Sequence, residues 1–225
     1  MEFRFSDWAH GLGIRGAYCC VRGLSLASYP ERLASHYDSV IAKSRERFST
    51  SDPAENEVLQ GFRALHKAVG ADGRKVVSSP ENLIRILQKH GSLARINPLV
   101  DFYNLVSLET QMALGAHDLR TTTAPVELRK TTGSEKFHPL GAKAPASVPA
   151  GEYAYIDGEG DVICRLEVRQ VEKTKITVDT NSAFIIIQGN LTTSPQVVSS
   201  ALEMFTELGR EYLNANVELL CVVDS

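Results

Sequence analysis

Short runs of β-branched or alternating apolar residues recur along the chain, and they predict strands. They lie at residues 17–21, 153–156, 162–169, 175–178, 183–188 and 217–223. Most of these runs follow residue 150. We therefore expect the C-terminal part of the chain to be rich in strands.

Five longer segments are predicted to be helices, and each opens with a proline near its start. In four of them a small polar residue precedes that proline, and in the first a tyrosine does. Proline is favoured at the first position of a helix because an N–H group there would have no helical partner. The opening dipeptides are Tyr29-Pro30, Asp52-Pro53, Ser79-Pro80, Asn97-Pro98 and Ser194-Pro195, and the predicted ends are near Phe48, Gly70, Gly91, Gly115 and Ala215. Four of the five helices precede the strand-rich part.

Residues 131–150 are rich in Thr, Gly, Ala and Pro and show neither a helical nor a strand period, so they predict a loop. This loop separates a helix-rich lobe of about residues 1–130 from a strand-rich lobe of about residues 150–225. The second lobe alone would have a thin core, so we expect one domain spanning 1–225. The predicted class is α+β, with mixed or antiparallel sheets flanked by helices.

The predicted helix at residues 98–114 is apolar around nearly its whole circumference, as is typical of a buried helix. Four polar residues share one arc of it, namely Asp101, Asn104, Ser107 and Gln111. Buried polar groups need hydrogen-bond partners. The stripe is therefore either an internal network or one wall of a binding site.

Two ionisable residues, His117 and Asp118, follow the glycine turn at Gly115 that is predicted to end this helix. Turns at the ends of elements are where functional sites collect. His117 is a candidate general base or hydrogen-bond donor, and the alternative is a residue that caps the helix C-terminus.

Two arginines, Arg165 and Arg169, fall on the same face of a predicted strand. This arrangement suits contact with an anion or a phosphate. The alternative is a cross-strand ion pair with Asp157 or Glu167.

The charge is distributed unevenly along the chain, although the net charge is only −3. Residues 1–143 carry 19 basic and 15 acidic residues, a net charge of +4, whereas residues 144–225 carry 5 basic and 12 acidic residues, a net charge of −7. A uniformly basic nucleic-acid-binding surface is excluded, and any phosphate-binding surface should draw on the first part.

Several kinds of site are not supported by the sequence. Residues 11–16 spell G-x-G-x-x-G, but a predicted strand follows them where a dinucleotide-binding fold needs a helix, so they predict a turn. The four cysteines form no C-x-x-C pair, and no histidine has metal-ligand spacing. We expect no metal and no cofactor. The N-terminal residues lack a signal-peptide apolar region and no run is long enough to span a membrane, so a cytoplasmic location is expected.

A series of short motifs, taken in order, carries a resemblance to a known family. The central motif is NPLVDFYNLVSL at 97–108, followed by GAHD at 115–118. Others are GFR at 61–63, SPENL at 79–83, FHPLG at 137–141, GE at 151–152, YIDG at 155–158, CR at 164–165, VRQ at 168–170 and TVDTN at 177–181. Over about residues 55–190 the chain thus resembles the B3/B4 editing domain of the phenylalanyl-tRNA synthetase β-subunit, and its freestanding relatives more closely.

The resemblance implies hydrolysis of the ester between a wrong amino acid and its tRNA, with the amino acid held between the helix and the sheet. Tyr103 and Asn104 stand where the synthetase domain has a Thr-Asn pair lining the pocket. Gly115 stands where that domain has a pocket histidine, and His117 lies two residues further on. The glycine-rich stretch of the synthetase pocket is missing here, so the resemblance implies a remodelled pocket.

Further residues carry over to the predicted substrate site. Asp157-Gly158 matches an Asp-Gly turn at the pocket border, and Thr180 matches a threonine near the amino-acid side chain. Deacylation of tRNA carrying the arginine analogue canavanine is one role among the freestanding relatives, and Asp118, Asp157 or Glu152 would meet a cationic side chain. The full predicted substrate-binding set is Tyr103, Ser107, Gly115, Asp118, Glu152, Asp157, Gly158, Arg165 and Thr180.

An aminoacyl ester is already activated, so positioning a water molecule and stabilising the oxyanion can suffice for its hydrolysis. We expect His117 and Asn104 to place that water. Together with Asp157 and Thr180 they should then converge on one cavity. The residues expected to contact tRNA phosphates are Arg63, Lys67, Arg74, Lys75 and Arg85.

The expected function is therefore that of a trans-editing aminoacyl-tRNA deacylase, with mischarged tRNA as its partner. We expect it to bind neither DNA nor a membrane. The alternative is a non-catalytic module that binds an amino acid or tRNA in the same pocket, since binding needs the same cavity. A third and weaker interpretation is a hydrolase acting on a free amino-acid ester or amide.

Overall fold

The computed structural model describes residues 1–71, 73 and 76–224. Its helices and strands form three layers, in which a four-stranded sheet lies between a layer of helices and a five-stranded sheet. The helices are α1 (Asp7–Gly11), α2 (Glu31–Phe48), α3 (Glu57–Ala68), α4 (Ser79–His90), α5 (Pro98–Thr110) and α6 (Pro195–Leu213). The strands are β1 (Phe3–Phe5), β2 (Gly16–Arg22), β3 (Ala113–Asp118), β4 (Val126–Lys130), β5 (Tyr153–Ile156), β6 (Val162–Arg165), β7 (Arg169–Gln170), β8 (Ser182–Gln188) and β9 (Asn216–Val223).

The four-stranded sheet has the order β3-β8-β2-β9 and is antiparallel throughout. Successive side chains of a strand point to opposite faces, and in β8 both faces are buried. Ile185 and Ile187 belong to the core formed with α2, α5 and α6, whereas Phe184 and Ile186 belong to the core shared with the other sheet. This sheet therefore divides the interior into two cores.

The five-stranded sheet has the order β1-β4-β5-β6-β7. β1 runs parallel to β4, and the remaining pairs are antiparallel. This sheet joins the N-terminal strand β1 to four strands from residues 126–170, whereas the four-stranded sheet contains strands from near both ends of the chain. The predicted α+β class, with mixed and antiparallel sheets flanked by helices, is confirmed.

The helix predicted to reach Gly115 is shorter than expected. It ends at Thr110, because Gln111 takes a left-handed conformation with φ of 60° and donates its N–H to the Ser107 carbonyl. Residues 113–118 then form the edge strand β3, paired with β8. Gly115 and His117 therefore lie on a strand and not in a turn after a helix.

Three further boundaries differ from the prediction. The helix predicted from Pro53 begins at Glu57, where the side chain of Asn56 accepts a hydrogen bond from the N–H of Leu59 and caps it. Residues 175–177 form no strand but an irregular segment that leads into a turn at 178–179, where the Thr180 hydroxyl oxygen accepts from the N–H of Thr177 at 2.9 Å. The strand predicted at 162–169 is split into β6 and β7.

The short strands β1 and β4 lacked a recognisable pattern in the sequence. The G-x-G-x-x-G segment leads into strand β2 and not into a helix, so its interpretation as a turn is confirmed. In the part of the chain that the structure describes, no helix combines the length and the apolar character that a membrane span requires.

Candidate functional site

A cavity of about 250 Å³ lies where the first turn of α4, the middle of α5, strand β3 and the β6–β7 hairpin meet. Its apolar lining comes mainly from Val77, Leu83, Ala113, Leu114, Leu140, Cys164, Val168 and Ile186. Its polar lining comes from Ser79, Asn82, Tyr103, Asn104, Tyr155, Glu167, Arg169 and Gln170. Gly115 completes the wall on β3.

Helix α5 contributes only part of its polar stripe to this cavity. Asp101 accepts a hydrogen bond from the N–H of Ile96 at 2.8 Å, and the Ser107 hydroxyl donates to the Met112 carbonyl at 2.7 Å. These two residues stabilise the ends of the helix. Asn104 instead lines the cavity, so the stripe contains both an internal network and a wall of a binding site.

The Ser79 hydroxyl at the start of α4 is buried and has no hydrogen-bond partner among the residues that the structure describes. Asn104 is only partly buried, and its side chain also has no hydrogen-bond partner within the described ranges. Buried polar groups are generally paired. Both groups are thus available to a ligand in the cavity.

The carboxylate of Glu167, by contrast, is fully engaged. Tyr153 and Gln188 donate to it, and His66 on α3 forms an ion pair with it although both side chains are buried. Burial lowers the pKa of His66, but the charge and hydrogen bond of Glu167 raise it more, so the net pKa is raised. His66 therefore favours the protonated form and neutralises Glu167.

A cleft with basic residues adjoins the cavity, and Val77 lines both. Arg63 and Arg85 bind the same buried carboxylate, that of Glu81, at 2.6 Å and 2.5 Å. Lys67 is exposed at the same cleft. Two arginines on one carboxylate leave one positive charge in excess, and Lys67 adds a second. We call this group of Arg63, Lys67 and Arg85 the basic cleft.

A family model of the B3/4 domain matches residues 63–213, which span both the cavity and the basic cleft. The chain belongs to the B3/4 domain family. The similarity to the domain suggested by the sequence motifs is thereby confirmed. No match to this B3/4 domain was found among curated proteins.

The B3/4 domain is also similar to a solved structure, an N-terminal fragment of the phenylalanyl-tRNA synthetase β-subunit from Pyrococcus horikoshii. The TM-score is 0.50 and the sequence identity is 16%. The match covers 96% of this chain and 50% of that chain, so this chain spans half of the fragment's length. At this identity the similarity establishes a shared fold.

The structure distributes the predicted site residues over several places in the B3/4 domain. Tyr103, Asn104 and Gly115 line the cavity, and Arg63, Lys67 and Arg85 line the basic cleft. Arg74 and Lys75 lie outside the described residues. The expectation that Asn104, His117, Asp157 and Thr180 line one cavity is wrong, because only Asn104 does so.

His117 is sealed in the interior at 0% exposure. Its Nδ1 lies 2.8 Å from the Thr174 hydroxyl, its ring stacks on Phe184, and its Nε2 has no partner within the described part of the chain. Burial lowers the pKa of His117 to about 3. The imidazole is therefore neutral and out of reach of a ligand in the cavity.

Asp118 and Thr180 hold a turn together. The Thr180 hydroxyl donates to Asp118 at 2.6 Å and Arg120 donates to the same carboxylate at 2.7 Å. Burial raises the pKa of Asp118, but these hydrogen bonds outweigh it, so the pKa is lowered. The carboxylate is thus committed to a structural contact.

The remaining predicted residues form two further structural clusters away from the cavity lining. Arg165 makes a bidentate ion pair with Glu152, at 2.5 Å and 2.6 Å, and not with Asp157 or Glu167. Asp157 binds the ammonium group of Lys173 at 2.7 Å. A cationic substrate would therefore find the carboxylates of Glu152, Asp157 and Asp118 occupied.

Sequence reasoning missed five polar residues of the cavity lining, namely Ser79, Asn82, Tyr155, Glu167 and Gln170. Ser79 and Gln170 fell within motifs that carried the resemblance, but no chemistry was assigned to them. Glu167 was considered only as an ion-pair partner of an arginine.

Proposed function

We propose that this B3/4 domain is a trans-acting deacylase that hydrolyses the ester bond of mischarged aminoacyl-tRNA. The observation that carries the proposal is the pairing of a small cavity with the basic cleft beside it. At about 250 Å³ the cavity is smaller than the roughly 300–1,000 Å³ typical of sites for drug-sized ligands. It therefore suits a ligand the size of one amino acid.

The basic cleft supports tRNA as the carrier of that amino acid. Positive charge beside a cavity favours a ligand whose reactive end is attached to phosphates. Arg169 extends this charge to the cavity rim, where its side chain is exposed. An acceptor end could lie across the cleft while the aminoacyl group enters the cavity.

The chemistry available in the cavity is positioning by uncharged groups. Water attacks the ester carbonyl carbon and gives up a proton as the tetrahedral oxyanion forms. The bond to the ribose oxygen then breaks, and that oxygen takes up the proton that the water released, which leaves the free amino acid and the ribose hydroxyl. Asn104 and Ser79 supply donors and acceptors that can orient the water and stabilise the oxyanion. The ester needs no covalent intermediate, because it is an activated acyl group held in place.

A second candidate function is binding without hydrolysis, and one observation favours it. Among the described residues, Glu167 supplies the single carboxylate that lines the cavity. His66, Tyr153 and Gln188 already engage that carboxylate. A general base is thus not evident there. A module that only binds an aminoacyl group would have the same lining.

Single-turnover hydrolysis of a panel of mischarged tRNAs separates the two functions. We expect the protein to release the amino acid from at least one of them, and Asn104→Ala to slow this release by about 100-fold, as for loss of an oxyanion donor. The matched control is Asn216→Ala, an exposed asparagine on β9. Binding of mischarged tRNA without release would establish the non-catalytic module, and an unchanged rate in Asn104→Ala would remove Asn104 from the mechanism.

A further inference from the structure

The side chain of Gln170 lies across the cavity from α5 to β3. Its backbone is held on both sides, because Gln170 pairs with Cys164 in the β6–β7 ladder and its carbonyl accepts from the N–H of Leu140 at 2.8 Å. The side chain is only partly buried. Its position is therefore defined by the hairpin, and its amide faces the ligand space.

Gly115 on β3 is the residue that Gln170 faces. A Cβ atom built on Gly115 would lie 2.9 Å from the Nε2 atom of Gln170, closer than such atoms approach in proteins. The amide thus occupies the space into which a side chain at position 115 would project. Burial raises the pKa of Tyr103 on α5, and a hydrogen bond from Gln170 opposes that rise. The same amide therefore also lies beside α5.

The buried part of the wall has little freedom to vary. Tyr103, Ala113 and Tyr155 are buried parts of the two cores, so replacing them would disturb packing. Gln170, in contrast, lies on a two-residue edge strand. A change of side chain there alters the cavity while leaving both cores intact.

We propose that Gln170 determines which amino acid the cavity accepts, by filling the space in front of Gly115 with a hydrogen-bonding amide. This inference rests on the proposed function in that the ligand is an aminoacyl group. The contact with Tyr103 uses one of the two amide donors. The second donor and the acceptor remain for a ligand, so the amide selects an amino acid whose side chain carries a hydrogen-bonding group. An apolar side chain of the same size leaves the amide unpaired and is rejected.

The test measures binding of non-hydrolysable 3′-aminoacylamino-3′-deoxyadenosines by calorimetry. The ligands are compared as pairs of nearly equal size that differ in a polar group, threonine against valine and tyrosine against phenylalanine. We expect the wild-type protein to bind the polar member of at least one pair about 10-fold more tightly, a preference of the order that one hydrogen bond provides. Gln170→Ala should reduce that preference to less than about threefold.

Two further variants control for a general disturbance of the protein. Gln196→Ala removes an exposed glutamine on α6 and should retain the preference. Gly115→Ala should displace the amide without touching Gln170 itself, because the end of a glutamine side chain is flexible, and it should lose the preference too. Thermal unfolding of each variant verifies that the fold is retained.

The outcomes are distinct from those of the hydrolysis assay. Loss of the preference in Gln170→Ala and Gly115→Ala supports the inference even if no tRNA is hydrolysed, in which case only the proposed catalysis fails. A wild-type protein that binds no analogue, or has no preference, contradicts the inference. The inference is also contradicted if Gln170→Ala lowers the affinity for both ligands of a pair equally, or if it keeps the wild-type ratio of the two affinities. This holds even if tRNA is hydrolysed.

Discussion

Replacing His117 by glutamine should leave the cavity intact and change how stability depends on pH. The imidazole is wholly buried, bonded to Thr174 and stacked on Phe184, and it is absent from the cavity lining. Glutamine cannot be protonated in the accessible pH range but can still pair with the Thr174 hydroxyl. The variant therefore removes a titrating group and keeps a polar partner.

The size of the effect follows from the two pKa values of His117. Burial lowers the pKa to about 3 in the folded protein, whereas the pKa in the unfolded chain is about 6.5. Below pH 6.5 the imidazole becomes protonated in the unfolded chain but stays neutral in the folded protein. The free energy of unfolding therefore falls as the pH falls. At about 1.36 kcal/mol for each pH unit between the two values, the loss approaches about 5 kcal/mol. Between pH 7.0 and pH 5.5 it is about 1.2 kcal/mol.

Urea unfolding at pH 7.0 and pH 5.5 measures this directly. His66 has the opposite effect, since its raised pKa gives stability that is present at low pH and lost as the pH rises through the folded value. Because His66 is present in both proteins, its contribution cancels in the comparison. We expect the wild-type protein to lose about 1.2 kcal/mol more than His117→Gln over this interval.

Parallel pH profiles for the two proteins would refute the reasoning, because they would show that His117 is protonated equally in the folded and unfolded states. The deacylation rate of His117→Gln provides a second test, of whether His117 takes part in catalysis. A fully active His117→Gln agrees with its position outside the cavity. A stable His117→Gln protein without activity would instead support the catalytic role predicted from the sequence.

Two other substitutions test the fold and the basic cleft. Gly158→Ala should destabilise the protein by about 2–4 kcal/mol in urea unfolding, because the added Cβ would lie 2.4 Å from the backbone oxygen of Ala124, which cannot rotate away. Gly11→Ala, with no atom within 4 Å of the added group, should be nearly neutral, and equal effects would contradict the contact. Lys67→Gln should reduce the slope of log affinity for tRNA against log salt by about 1, whereas Lys43→Gln, exposed on α2, should not. An unchanged slope would remove Lys67 from the tRNA-binding surface.

Local chemistry determined most of the helices. Proline after a short polar residue predicted the starts of α4, α5 and α6 correctly, because that preference depends only on the first helical turn. The apolar circumference of α5 likewise predicted its burial. Where the prediction failed, as at Gln111, the helix ended because pairing of residues 113–118 with β8 outweighs the local preference.

The location of the site depended on the tertiary structure. Gly115 and His117 are two residues apart and share a face of β3, yet a step of about 7 Å along the strand moves the histidine out of the cavity and under Thr174. Strand register also decides the partner of Arg165, which pairs opposite Ala154 and so reaches Glu152 diagonally.

The sequence by itself therefore determined the α+β class, the buried helix with its polar stripe and the family resemblance. These features are encoded in periodicity, in helix-start residues and in ordered motifs. Only the tertiary structure decided which polar groups face the cavity and which pair with one another. That outcome depends on distances between residues far apart in the chain, such as Gln170 and Gly115, and strand pairing sets those distances.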